Sequence, residues 1–170
     1  MFLSRIALAA AVGLIASPGL AADPLAAFAG AWNGVGESRP GPGEPFERAT
    51  CEMTASFVLR TATLRTDGRC RGAGMSFPTA DAMTAGVATG TFSSPTGIGV
   101  VIFDSTVTFG EGGFVVDTVL DGGDLAEVIN VRQVVGWPTP AGWFDIVILV
   151  FNPTTEAYVE FSHMRFARAD

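Results

Sequence analysis

The feature that most constrains this chain is a period-two alternation of apolar and polar residues, cut into short runs by turn-forming clusters. In "TCEMTASFVL", residues 50–59, Cys51, Met53, Ala55, Phe57 and Leu59 share one face, and Thr50, Glu52, Thr54 and Ser56 share the other. Alternation of this kind is the mark of a half-buried strand, because successive strand side chains point to opposite faces. Comparable runs are "TATLRTD", "RCRGAGM", "GVATGTF", "GVVIFDSTVTF", "GFVVDTVLD", "AEVINVRQVV", "WFDIVILVF" and "AYVEFSHMRF". Between them stand "DG", "SSPTG", "GEGG", "DGGD", "GWPTPAGW" and "NPTTE", clusters of Gly, Pro, Asn and Asp that turn antiparallel strands. No helical periodicity runs for ten residues or more.

An all-β antiparallel fold follows, either a sandwich or a barrel. The barrel is favoured because most connections are of hairpin length, which suits an up-and-down order. Glycines inside strands, such as Gly90, Gly97 and Gly99, suit tight curvature. The expectation is a barrel of about eight strands. On that count some runs must merge, and "TATLRTD" with "RCRGAGM" reads as one bent strand. "GEPFERAT" and "SFPTADAMTAG" read as longer loops, and "DPLAAF" as one short helical turn before the first strand.

The first 22 residues stand apart. "MFLSRIALAAAVGLIASPGLAAD" has Arg5 in a short n-region, an apolar run from Ile6 to Ala16, and small residues at Ala21 and Ala22. That is the layout of a secretory signal peptide, and the apolar run is shorter than a spanning helix needs. Residues 1–22 are thus read as a cleaved leader and 23–170 as a single β-barrel domain, with a periplasmic or secreted location and no membrane span after cleavage. The chain carries a net charge of −7, no lysine and only scattered arginines, which argues against nucleic acid as a partner. Cys51 and Cys70 are the only cysteines. In an exported chain an isolated pair reads as a disulfide, closing a loop of 19 residues.

"FAGAWNGVGE", residues 28–37, places Gly30, Trp32, Gly34 and Gly36 on one strand face. Gly30-Ala31-Trp32, preceded by "DPLAAF", resembles the Gly-x-Trp pattern opening the first strand of calycin, or lipocalin-type, barrels. "GAWNGVGE" followed by a cysteine pair also resembles a class of small secreted alphaproteobacterial proteins, and it is similar too to the bacterial metalloprotease-inhibitor barrels, which carry a disulfide near the start of a similar small barrel. The resemblance implies that Trp32 closes one barrel end and that an arginine of the last strand lies over its ring. In "FSHMRFARAD" that residue is Arg165, with Arg168 the alternate. Independently of the resemblance, Gly34 and Gly36 leave room for side chains from the opposite wall.

The search for chemistry is mostly negative. His163 is the only histidine, and no serine lies in a nucleophile-elbow pattern. His163 reads as part of the last strand's packing. Asp117, Asp121, Asp124 and Glu127 carry oxygens suited to a hard cation, but their spacing fits no calcium loop, and Gly122-Gly123 reads as a hairpin tip. No catalytic residue, metal or cofactor is assigned.

"GWPTPAGW" brackets two prolines with Trp137 and Trp143. Exposed tryptophans on a stiffened loop call for a contact. The reading is a non-catalytic barrel that binds a small apolar molecule, with Trp137, Trp143 and Tyr158 near a mouth opposite Trp32. The alternative is a barrel that binds a protein partner, such as a protease inhibitor. A barrel isomerase or cyclase is the third reading. The strand "WFDIVILVF" is apolar on both faces, so its outer face also calls for cover.

Overall fold

The computed structural model describes residues 23–41, 43–72, 75–84, 86–93, 100–120 and 128–169, with the backbone alone for 75–81, 88–93 and 100–104. The leader, Gly97, Gly99, Asp121, Asp124 and Glu127 lie outside the described residues.

A 3₁₀ helix, Pro24–Phe28, comes first; the Asp23 carboxylate accepts from the Leu25 N–H at 3.0 Å and caps it. Among the described residues ten strands follow: β1 (Gly30–Ser38), β2 (Glu47–Val58), β3 (Thr63–Gly72), β4 (Met75–Thr84), β5 (Val87–Ser93), β6 (Val100–Gly110), β7 (Gly113–Leu120), β8 (Ile129–Gly136), β9 (Trp143–Asn152) and β10 (Ala157–Arg168). Each pairs antiparallel with its neighbours in sequence, and β1 pairs with β10, so the sheet closes into an up-and-down barrel without a free edge.

The all-β barrel expected from the alternation is present, but with ten strands rather than about eight. "TATLRTD" and "RCRGAGM" do merge, into β3. The strand that no alternating run marked is β4, in the segment read as a loop; it holds Pro78 and several small residues. Pro78 pairs with Arg69 of β3 at a point where the register with β5 has not yet begun, since that register runs from Thr79. A proline is tolerated where a strand is paired on one side. "GEPFERAT" likewise enters β2 at Glu47.

The core concentrates at one end. Leu25 and Phe28 of the 3₁₀ helix fold under the barrel and are buried with Trp32, Phe114, Val135, Phe144 and Phe166. Phe144 lies edge-on to Trp32, with centroids 4.8 Å apart, and stacks on Phe166 at 5.1 Å. The Trp32 indole N–H donates to the Phe28 carbonyl at 2.7 Å, which satisfies its one donor inside the apolar plug. The strand phase is now fixed: Trp32, Gly34 and Gly36 face inward. A Cβ at Gly34 would lie 2.6 Å from the Phe166 ring, and one at Gly36 would run into the His163 carbonyl. The glycines let the β10 side chains and backbone lie against β1.

Cys51 and Cys70 are directly opposed on β2 and β3, with Cα atoms 4.1 Å apart, and are disulfide-bonded. The bond lies on the inner wall, beside Gly34 in the register of β1 with β2. A disulfide there fits an oxidising compartment.

Candidate ligand-binding lumen

β1 starts at the plugged end and runs away from it. In an up-and-down order, every connection from an even to an odd strand therefore lies at the plugged end. The loop 137–142 joins β8 to β9 and falls there, which corrects its expected place at the opposite mouth. Trp137 is one wall of the plug. Its ring centroid lies 5.5 Å from that of Phe114 and 6.0 Å from that of Phe28, and its indole N–H donates to the Gly110 carbonyl at 3.1 Å.

Trp143 and Tyr158 do not face the lumen either. Phe144 is inward and buried, so its neighbour Trp143 points outward, where the Arg165 guanidinium lies 4.1 Å from its ring centroid. Tyr158 is paired with Phe151, also on the outer face, and carries the Arg132 guanidinium 4.6 Å from its ring centroid. The three aromatics expected at one mouth thus stand in three places: one in the plug and two on the outer wall.

Arg165 is likewise not the arginine over Trp32. Phe166 and Met164 are the buried phase of β10, and Arg165 lies between them on the outside. There it grips Asp145 with two bonds, of 2.8 and 3.0 Å. The hydrogen bond and charge of that guanidinium hold the Asp145 carboxyl below the usual aspartate range. Arg168 has the inward phase and is directly opposite Trp32 in the register. Its guanidinium lies 4.6 Å from the indole centroid and donates to the carbonyls of Ala29 and Ala27 at 3.0 and 3.1 Å.

His163 is exposed on the outer wall, between Val147 and Glu37 in the register. Asp117 is also outward and engages Arg132 at 2.7 Å. Among the described residues no three potential metal-ligating side chains converge.

Above the plug the barrel changes character. Ile146, Ile148 and Val150 continue the inward face of β9, and Gln133 and Val131 that of β8, yet all five remain only half-buried. Phe57 and Met53 on β2 are also inward and half-buried, but Met53 is level with Trp32, Phe57 lies beyond it, and both pack against the plug. In a closed barrel, inward side chains that keep accessible surface line a space that neighbouring side chains do not fill. The lumen is therefore plugged by aromatics at one end and less densely filled beyond it. Above the plug its described inward side chains are apolar apart from neutral polar groups and Glu47, which is exposed at the far end of β2; the inward-phase Arg168 lies at the plugged end over Trp32. A shallow hollow of about 470 Å³ also lies on the outer wall of β1–β3, flanked by Asn33, Glu52, Thr54, Asp67 and Arg69.

No family model and no curated protein sequence matches this chain. The barrel does have a solved counterpart. It is similar to the crystal structure of Rv2717c from M. tuberculosis, with a TM-score of 0.54 and 11% identity over 86% of this chain and 95% of that one. At that identity the likeness carries the fold alone.

Sequence reasoning missed the neutral polar groups of the lumen wall, Ser105, Thr118 and Gln133. The signal was present as polar residues within the apolar runs "FDSTVTF", "FVVDTVL" and "INVRQVV". Which phase faced inward was not.

Proposed function

We propose that this protein binds a small apolar molecule inside the barrel, above the aromatic plug, without performing chemistry on it, and does so in the periplasm or after secretion. The observation that carries this reading is the row Ile146, Ile148 and Val150: inward, apolar and incompletely buried. Apolar surface left accessible inside a protein gains free energy when a ligand covers it, by about 25 cal/mol per Å². Ligand sites are typically concave, mostly apolar and preformed. The internal disulfide and the leader-like first 22 residues support the location.

Native mass spectrometry of protein purified from its own host is the direct test. Bound ligand mass is expected, together with saturable enhancement of an apolar fluorescent probe. Ile148→Trp, which fills the lumen, should abolish probe binding while keeping the β-type circular dichroism. Probe binding unchanged by that substitution, or no binding by the parent, overturns the reading.

A second reading is a barrel that docks a protein partner. What favours it is the outer wall, where Val115, Val134 and Val147 form an apolar row across β7–β9 and Val134 is 40% exposed.

A further inference from the structure

The inner wall is not chemically uniform: besides Ser38, Ser162 and Thr66 elsewhere on it, one group of neutral polar side chains sits together on β6–β8. Ser105 of β6 and Thr118 of β7 are opposed in the register and point inward. Their hydroxyl oxygens lie 2.6 Å apart, and both residues are buried. One register step toward the plug, Gln133 of β8 is paired with Val116 on one side and Ile148 on the other, which fixes its side chain on the inner face. Thr118 and Gln133 are thus diagonal neighbours on one wall. Gln133 is half-buried, and its carboxamide makes no hydrogen bond to another described residue. The adjoining strand β9 offers only Ile146, Ile148 and Val150 at these levels.

A carboxamide facing an apolar space is costly unless it is hydrogen-bonded. Leucine fits such a wall without that cost. The groups beside Gln133 are neutral and are grouped on β6–β8, so they suit a neutral partner rather than an ion.

We propose that the lumen selects apolar molecules that carry one uncharged oxygen group, a ketone or an alcohol, and that the Gln133 carboxamide, with the Ser105–Thr118 hydroxyl pair beside it, is the site that takes that oxygen. The inference rests on the carrier reading above and specifies its ligand class. The carboxamide N–H₂ donates to a carbonyl or hydroxyl oxygen, while the hydrocarbon part lies against Ile146, Ile148 and Val150. A carboxylate is disfavoured, because no described lumen side chain supplies a cation to offset its desolvation.

The test is competition. Displacement of N-phenyl-1-naphthylamine by 2-octanone and by octane is measured on the full mature chain, on Gln133→Leu and on Thr118→Val. The ketone is expected to compete better than the alkane against the parent. In Gln133→Leu that preference should fall by about three- to tenfold, the range of one net hydrogen bond. Octane should displace the probe from Gln133→Leu at least as well as from the parent. Thr118→Val should shift the preference in the same direction, so a poorly folded Gln133→Leu still leaves a decisive measurement. A ketone-to-alkane ratio unchanged in folded variants overturns this inference and leaves the carrier reading standing. No probe binding by the parent overturns both.

Discussion

The guanidinium carbon of Arg168 lies 4.6 Å from the ring centroid of Trp32, directly across the seam where β1 and β10 close the barrel. The same guanidinium ties down the Ala27 and Ala29 carbonyls, so one side chain holds the last strand, the first strand and the 3₁₀ helix together. Arg168→Ala should cost about 1–3 kcal/mol, from a cation–π contact and two charge-assisted hydrogen bonds. Arg165→Ala, which removes an exposed guanidinium from the outer wall, should shift the thermal midpoint less. Thermal unfolding of both variants checks the order; equal losses would remove Arg168 from its role at the seam.

Gly34→Ala places a methyl 2.6 Å from the Phe166 ring, inside the stack with Phe144. Overpacking of that kind costs about 1–3 kcal/mol. Phe166→Leu shrinks the obstructing ring, so the two substitutions together should cost less than their sum, which a double-mutant cycle by chemical denaturation measures.

Replacing both Cys51 and Cys70 with alanine should lower stability by about 2–4 kcal/mol, as expected for a loop of 19 residues. Reducing agent should destabilise the parent in the same direction and leave the double variant unaffected. Comparing denaturation midpoints with and without dithiothreitol tests this.

The Asp145 carboxyl has a lowered pKa in the folded chain because Arg165 bonds to its charged form. A lowered folded value means that the contribution is complete above the unfolded pKa of about 3.9 and is lost as pH falls through the folded one. Asp145→Asn should therefore destabilise the protein at pH 7 by a modest amount, since Arg165 is largely and Asp145 partly solvent-exposed. The gap between variant and parent should close as pH drops below about 4. Melting curves from pH 7 to pH 2 follow it; a gap that persists at pH 2 contradicts the assignment.

Much of the fold was legible in the sequence because strand alternation is local. The inward face of Cys51, Met53, Ala55 and Phe57 on β2 could be read without knowing any partner strand; Leu59, placed on that face too, instead begins a short 3₁₀ turn and is exposed. β4 was missed for the same local reason: Pro78 argues against a strand unless its pairing on each side is known. The merging of two runs into β3, the opening helical turn and the cysteine pair all depend on near neighbours or on an isolated pair.

The chain by itself therefore determined an antiparallel β-barrel, its disulfide pair and the glycine face of β1. What only the tertiary structure decided were the relations that depend on parity and register. Ten strands put the loop bearing Trp137 at the plugged end. The phase of β10 gave Trp32 to Arg168 and turned Arg165 outward. On β8 the register turned Gln133 inward, whereas Tyr158 of β10 faces out. A shift of one residue along a strand moves every side chain to the opposite face. Burial and pairing across the closed sheet fix that choice, and both join residues far apart in the chain.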